Sequence, residues 1–404
     1  MTQPLGRMLA GGGLIALAVL ALPPNSRGGA AGPVAPRLLS DDADAGNEVT
    51  PRLVESVNRG LAYLASHQQR DGSWTGDVGF KVNQSYSVVE SGVSHIGTTA
   101  LAGMAFLAGG HLPDRGEYGP VLDKTITYLI QQQSDTGFIT GHQSRMYDHA
   151  FATLFLAEVF GQTPRSDLRA ALQRATDFIV NAQNSKGSWR YQPLAIESDM
   201  SITVCQLMAL RAARNVGIRS PKDTIDRAVK YVKASQVKTD KEAWGFQGGF
   251  GLDEQYYDLA KGAFRYQYGD DPQSRSSFAL TAAGITSLYH AAEYDTALLR
   301  DSLQFLETRM ELVSDRTWRT HYFYWYGHYY ACQAMFITGE VGGHQYWSRY
   351  WSRISGELLE QGSPFSQAVD GSWPNDVGPG RNFATAVACI VLQVPFRYLP
   401  ILQR

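Results

Sequence analysis

With 404 residues, 44% hydrophobic and 18% charged, the chain has enough apolar material for one large globular domain or two small ones, which excludes a mainly disordered protein. A net charge of -2 gives no basic balance pointing to nucleic acid. Three cysteines, Cys205, Cys332 and Cys389, form neither a metal clasp nor a disulfide framework and read as buried thiols.

The N-terminus reads as a segment apart from the fold. Arg7 precedes an apolar run from Met8 to Leu22, and small residues follow up to Ala31. That is the layout of a secretory signal peptide over 1–31, with an uncleaved signal anchor as the alternative. The run is too short to span a bilayer comfortably, so no membrane span is expected after cleavage and the mature protein is expected to be exported. Residues 32–50 mix Pro, Gly and Asp without periodicity and read as a flexible linker.

From residue 51 the chain repeats itself. RGLAYLASHQQRDGSW (59–74) and RATDFIVNAQNSKGSW (174–189) match in register. KTITYLIQQQSDTGF (124–138) matches with Phe in place of Trp, and RAVKYVKASQ (227–236) repeats the helical part. RDSLQFLETR (300–309) and RISGELLEQ (353–361) are weaker copies, the last followed by DGSW at 370–373. Each copy predicts an amphipathic helix. Each is followed by a second helix, apolar nearly all round, over 97–110, 149–161, 201–217, 276–295, 327–339 and 382–395. Half-wet helices outside and buried helices inside predict an all-α chain, a single (α/α)6 toroid over 51–404 whose closure leaves no end repeat to cap. The Gln-x-x-x-Gly-x-Trp turn joins outer to inner helix. Gly permits the left-handed residue that ends a helix, Gln bonds free carbonyls, and Trp covers the turn.

This pattern resembles the QW repeats of squalene and hopene cyclases, a toroid shared with protein prenyltransferase β-subunits. The resemblance covers about 54–397. It implies a terpene-cyclase-like protein that acts on, or binds, an apolar isoprenoid in a central cavity. Cyclases of this kind protonate an alkene with a DxDD motif at an inner-helix start. The stretch here is IESDMSIT (196–203), which supplies Glu197 and Asp199 but has Met200 in a third acidic place. Asp199 is the candidate proton donor with Glu197 its partner; the plain alternative is a helix N-cap. The prenyltransferase zinc set is not matched by Asp199, Cys205 and His328, and no metal or other cofactor is expected.

Aligning the inner helices superposes Cys205 on Cys332 and places His149, Ser201 and His328 at one level. If that level faces the lumen, His149, His328, His321, Asp148, Tyr324 and Tyr329 line its mouth, made aromatic by HYFYWYGHYY (321–330). The alternative is that these side chains only pack and cap. GDDPQ (269–273) reads as a turn, and the long Gly- and Tyr-rich segment 244–277 as a lid or mouth-lining insertion. Two other functions stay open: a non-catalytic exported toroid binding a ligand or protein, and a carbohydrate-active toroid with paired carboxylates.

Overall fold

The computed structural model describes residues 48–82, 85–238, 261–269, 276–294, 297–313, 323–339, 345–375 and 378–400. Among the described residues, twelve α-helices, one hairpin and a 3-10 helix (Val394–Phe396) make up the regular structure. The outer helices are α1 (Pro51–His67), α3 (Gly119–Gln131), α5 (Ser166–Asn181), α7 (Lys222–Ala234), α9 (Ala297–Val313) and α11 (Tyr346–Leu359). The inner helices are α2 (Ile96–Ala108), α4 (Met146–Phe160), α6 (Met200–Asn215), α8 (Phe278–His290), α10 (Phe323–Thr338) and α12 (Arg381–Gln393). No described helix is long and apolar enough to cross a membrane.

Neighbouring inner helices pack in the order α2, α4, α6, α8, α10, α12, and α12 returns to α2, so the ring closes. Burial follows the sequence pattern. In α1 only one stripe is buried, including Leu53, Val57, Leu61 and Leu64. Every residue of α2 is buried. The predicted all-α toroid is therefore the fold.

The recurring turn is a clasp between successive outer helices. Gln68 Nε2 donates to its own turn at the Gly72 carbonyl (3.1 Å) and to Val121 O in α3 (2.9 Å). Gln133 does the same to Gly137 and to Ala171 of α5. Gln183 does so to Gly187 and to Thr224 of α7. Gln367 donates to Gly371 and to Ser56 O of α1 (2.8 Å), which ties the last turn to the first helix. A primary amide suits this place because it carries two N–H donors for two carbonyls. A Cβ on Gly187, at φ +80°, would lie 2.6 Å from Arg227 O, and one on Gly371, at φ +90°, would lie 2.6 Å from Arg59 O. Both the left-handed backbone and the approach of the next outer helix require glycine there.

Trp74, Trp189 and Trp373 are buried under these turns. Each indole N–H donates to a carbonyl of the preceding outer helix, at Leu64, Ile179 and Leu358. Each Trp backbone N–H is taken by a threonine hydroxyl of the next inner helix, Thr99, Thr203 and Thr385. Phe264 fills the same place in the fourth turn, its N–H going to Thr281 Oγ1. The segment expected to be an insertion is described only at 261–269 and 276–277 of its 244–277 span. There Gln236 bonds Leu298 O and Ser302 Oγ, and Ser302 bonds Gly262 O, so this clasp is intact although its Gln and Gly are far apart in sequence.

The second turn departs from the expected pattern. Its Trp place belongs to Ile139, two residues after Gly137 and fully buried, while Phe138 takes the Ser place. The first connection also contains a β-hairpin, β1 (Thr75–Val82) antiparallel to β2 (Ser85–Ser94), where no strand was expected.

Candidate functional site

The described connections from outer to inner helix emerge where the inner helices begin. A cavity of about 770 Å³, counted with its open side, lies at that end. The hairpin roofs it with Val78, Phe80 and Tyr86, and the starts of α2 and α4 supply His95, Thr98, Arg145, Tyr147, Asp148 and Phe151. Tyr191, Tyr326 and Phe383 complete its aromatic wall.

Hydrogen bonds at helix starts position these groups. His95 is the N-cap of α2, and its ring Nδ1 lies 3.3 Å from the Thr98 N–H and 3.4 Å from Asp148 Oδ1. Asp148 Oδ1 also accepts from Gly97 N–H (2.8 Å), and Oδ2 from Arg145 N–H (3.4 Å). The carboxylate thus sits across the N-termini of two helices, where their dipoles favour a negative charge. Arg145 lies over the Phe80 ring (4.4 Å to its centroid) and near Tyr191 (5.9 Å). Tyr191 is fixed by its own backbone, whose carbonyl accepts from Met146 N–H at 3.0 Å.

Asp199 stands behind this wall. It is fully buried and caps α6 by accepting from Ile202 N–H (3.1 Å) and from the Ser201 hydroxyl. Its Oδ2 has no hydrogen-bond partner of standard distance and angle among the described residues, although the Tyr266 phenol stands close enough to favour the charged carboxylate. Burial pushes the Asp199 carboxyl above its ordinary value, and the Ser201, Tyr266 and Ile202 donors pull it back in part. Tyr266 is held at this spot by Met200 N–H, which donates to the Tyr266 carbonyl (2.8 Å), and its phenol meets that of Tyr191 at 2.5 Å. Burial, reinforced by the Asp199 charge, raises Tyr191 and Tyr266 above the ordinary phenol value, which keeps them neutral donors. Tyr147, Tyr326 and Cys205 lie within range of the same charge, with burial again the larger cause of their raised values.

Of the residues expected at the mouth, the structure brings Asp148 to the cavity wall; Tyr329 does not line the cavity but packs behind it, edge-on to the lining Phe151 at 5.7 Å between centroids. Asp199 is one layer deeper. Glu197 does not accompany it: its side chain is exposed on the loop before α6, while the groups around Asp199 are Ser201, Tyr266 and a backbone N–H. His149 faces outward. Its Nδ1 accepts from Ile139 N–H (3.1 Å) and its Nε2 donates to Ala175 O (3.1 Å). It therefore does in the second turn what threonine does in the others, and its ring packs with Phe138 and Phe178 where the turn lacks a Trp. His328 and Tyr324 also face outward, bonding Tyr350 and Glu357 of α11. Helical geometry decides this: Tyr326, Tyr329 and Tyr330 share the lumen face, which leaves 324 and 328 on the other. His321 lies outside the described residues. Cys205 bonds the Tyr330 phenol while His328 bonds Tyr350, so the two are not brought together.

Burial lowers the His149 pKa from 6.5 to about 3, so the ring stays neutral in the fold while it protonates in the unfolded chain. Its contribution to stability is complete above pH 6.5 and is lost as pH falls toward 3. His149→Gln is expected to flatten the decline of thermal stability across that window by about one proton's worth. An unchanged slope in pH-dependent calorimetry would count against it.

Tyr191 and Tyr266 were missed in the sequence, although a signal was present. GSWRYQ (187–192) and GAFRYQ (262–267) repeat the same Arg-Tyr-Gln after the turn aromatic. His95 and Arg145 were also missed; each occupies the N-cap of an inner helix, a position that opens on this mouth.

No protein-family profile matches the sequence, and no curated protein matches it. Solved structures do match in shape. The GH76A α-1,6-mannanase of Salegentibacter sp. HEL1_6 superposes with a TM-score of 0.58 at 8% identity, over 86% of this chain and 99% of that one. A D-mannose isomerase gives 0.57 at 12%, over 87% and 99%. The type II terpene cyclase MstE from Scytonema, bound to geranylgeranyl dihydroxybenzoate, gives 0.52 at 14%, over 86% and 98%. At such identities the likeness is one of fold, and it establishes this chain as an α/α toroid.

Proposed function

We propose that this toroid is an exported carbohydrate-active protein that seats a sugar in the cavity at the inner-helix starts. The observation that carries the reading is the mixture on one wall. Phe80, Tyr86, Tyr191 and Tyr326 offer flat apolar faces, and Arg145, His95 and Asp148 stand among them. Sugar rings have apolar faces that stack on aromatics and hydroxyls that meet such polar groups. An isoprenoid, the ligand class the repeats suggest first, suits the aromatic faces alone. It would seal a guanidinium and a His–carboxylate pair away from water without supplying partners, at a cost of several kcal/mol. The mannanases and the mannose isomerase that share this fold support a sugar over a hydrocarbon.

If the protein is a catalyst, Asp199 is its candidate acid, since burial favours the protonated form that a general acid needs. Asp148, with both oxygens engaged by backbone N–H groups, is the second carboxyl at the site and a positioning group. Glu197, exposed nearby in sequence, would act only from the rim.

The test is titration calorimetry of the mature chain against neutral and acidic oligosaccharides and against squalene in detergent, with reducing-end release followed in parallel. Glycan binding is expected, weakened about tenfold by Phe80→Ala through loss of roughly 1.4 kcal/mol of stacking. Binding of squalene with no glycan bound would replace this reading by the cyclase-like one.

A further inference from the structure

Resting on the carbohydrate reading, we infer that the site selects acidic sugars, with Arg145 as the residue that receives a uronate carboxylate. Charge at the mouth is unevenly partnered. The carboxylate on the cavity wall and those of the hairpin above it are already engaged. Asp148 accepts two backbone N–H groups and faces His95. Glu90 of the hairpin is held by His142 (2.9 Å) and Gln143 (3.3 Å). Asp77 accepts from the Ser91 hydroxyl (2.6 Å) and Gly92 N–H (3.1 Å). Arg145 lines the same cavity half-buried, and among the described residues its guanidinium makes no hydrogen bond or ion pair. Its contacts are the faces of Phe80 and Tyr191.

A guanidinium laid on aromatic rings keeps its N–H edge free, and that edge matches a carboxylate with two parallel bonds. The rings also fix the plane of the fork, so little side-chain freedom remains to be lost on binding. A carboxylate on C5 of a pyranose projects from the ring edge. A sugar stacked on the Tyr191 and Phe80 side of the cavity would present it in the direction of the guanidinium. A neutral hexose would leave the positive charge half-desolvated without a counterion, which makes the arrangement selective as well as attractive.

The experiment uses the mature full chain and a matched ligand pair: oligouronates (galacturonate, mannuronate and glucuronate series) and their methyl esters, which keep the ring and remove the charge. Calorimetry is expected to show at least one acid bound about ten times or more tighter than its ester, with the preference falling as salt rises. Arg145→Gln should erase that preference by weakening the acid far more than the ester, and Arg145→Lys should restore part of it. Circular dichroism of each variant guards against misfolding. Equal affinity for acid and ester, or a preference that survives Arg145→Gln, overturns the inference and leaves the carbohydrate reading standing. Arg145-dependent binding of hexadecanoate with no sugar bound overturns the carbohydrate reading and acidic-sugar selection together, while keeping Arg145 as an anion receptor. No Arg145-dependent binding of any probe overturns the inference outright.

Discussion

Replacing Trp189 with Ala is expected to destabilise the protein by about 3–5 kcal/mol, the usual cost of emptying a buried tryptophan site. The indole is 1% exposed and fills the space beneath the third turn. Its N–H is the partner of the Ile179 carbonyl at 2.8 Å, and truncation leaves that carbonyl buried and unpaired. The turn is also a junction: Gln183 ties it to α7 and the Trp189 backbone N–H ties it to Thr203 of α6, and the indole packed beneath holds both bonds in place. Loss of the indole should therefore loosen two neighbouring helices as well as its own. Urea unfolding of the protein measures the effect. A loss below about 1 kcal/mol would mean that the turn carries far less of the fold than its bonding implies. Trp189→Phe should fall between, since it keeps most of the buried area and loses the N–H.

The same turn shows why the fold was readable in the sequence. Gln, Gly and Trp recur because three separate demands coincide at one place: two donors for two helices, a left-handed residue under a neighbouring carbonyl, and a large cap. Few other residues satisfy any of these, so the motif recurs even where the surrounding residues differ between repeats. Ile139 marks the limit. With no indole there, volume is shared out among Phe138, His149 and Phe178, and a polar residue in an inner helix takes on a structural bond. In sequence that histidine looks like chemistry. Its outward position becomes apparent only once Ile139, and not Phe138, is seen to hold the Trp place.

The site was less legible than the fold. Aromatic density in HYFYWYGHYY marked the right helix, but one helix presents two faces within those ten residues, and only packing separates Tyr326 from Tyr324. The hairpin had its own signal in the alternation of Val78, Phe80 and Val82, which is strand-like. It lies between two helical repeats, where a connection was all that the repeat required. Arg145 carries no motif at all. Its meaning comes from what surrounds it: aromatic faces, with Asp148, Glu90 and Asp77 engaged by other partners.

Asp199→Asn is the second large effect, and its sign discriminates between two roles. A carboxyl whose folded pKa is raised carries a penalty that is absent below its unfolded value, about 3.8, and grows as pH rises through the folded value. Asparagine has the same shape and caps a helix as well as aspartate, without the buried charge. The variant is therefore expected to match the native protein near pH 4 and to become more stable than it as pH rises to 8. The gain should grow by about 1.4 kcal/mol per pH unit between the unfolded and folded pKa values and then level off. The raised carboxyl, with Oδ2 left without a standard partner beside Tyr266, motivates the proposal that Asp199 is kept for chemistry at a cost in stability. If glycan cleavage is detected, the same substitution should lower turnover by roughly 10² to 10⁴, the usual contribution of a general acid, with binding little changed. Differential scanning calorimetry from pH 4 to 8 decides the first half without any substrate. A variant less stable than the native protein at pH 8 would make Asp199 an ionised helix cap, and the acid would have to be sought on the cavity wall itself.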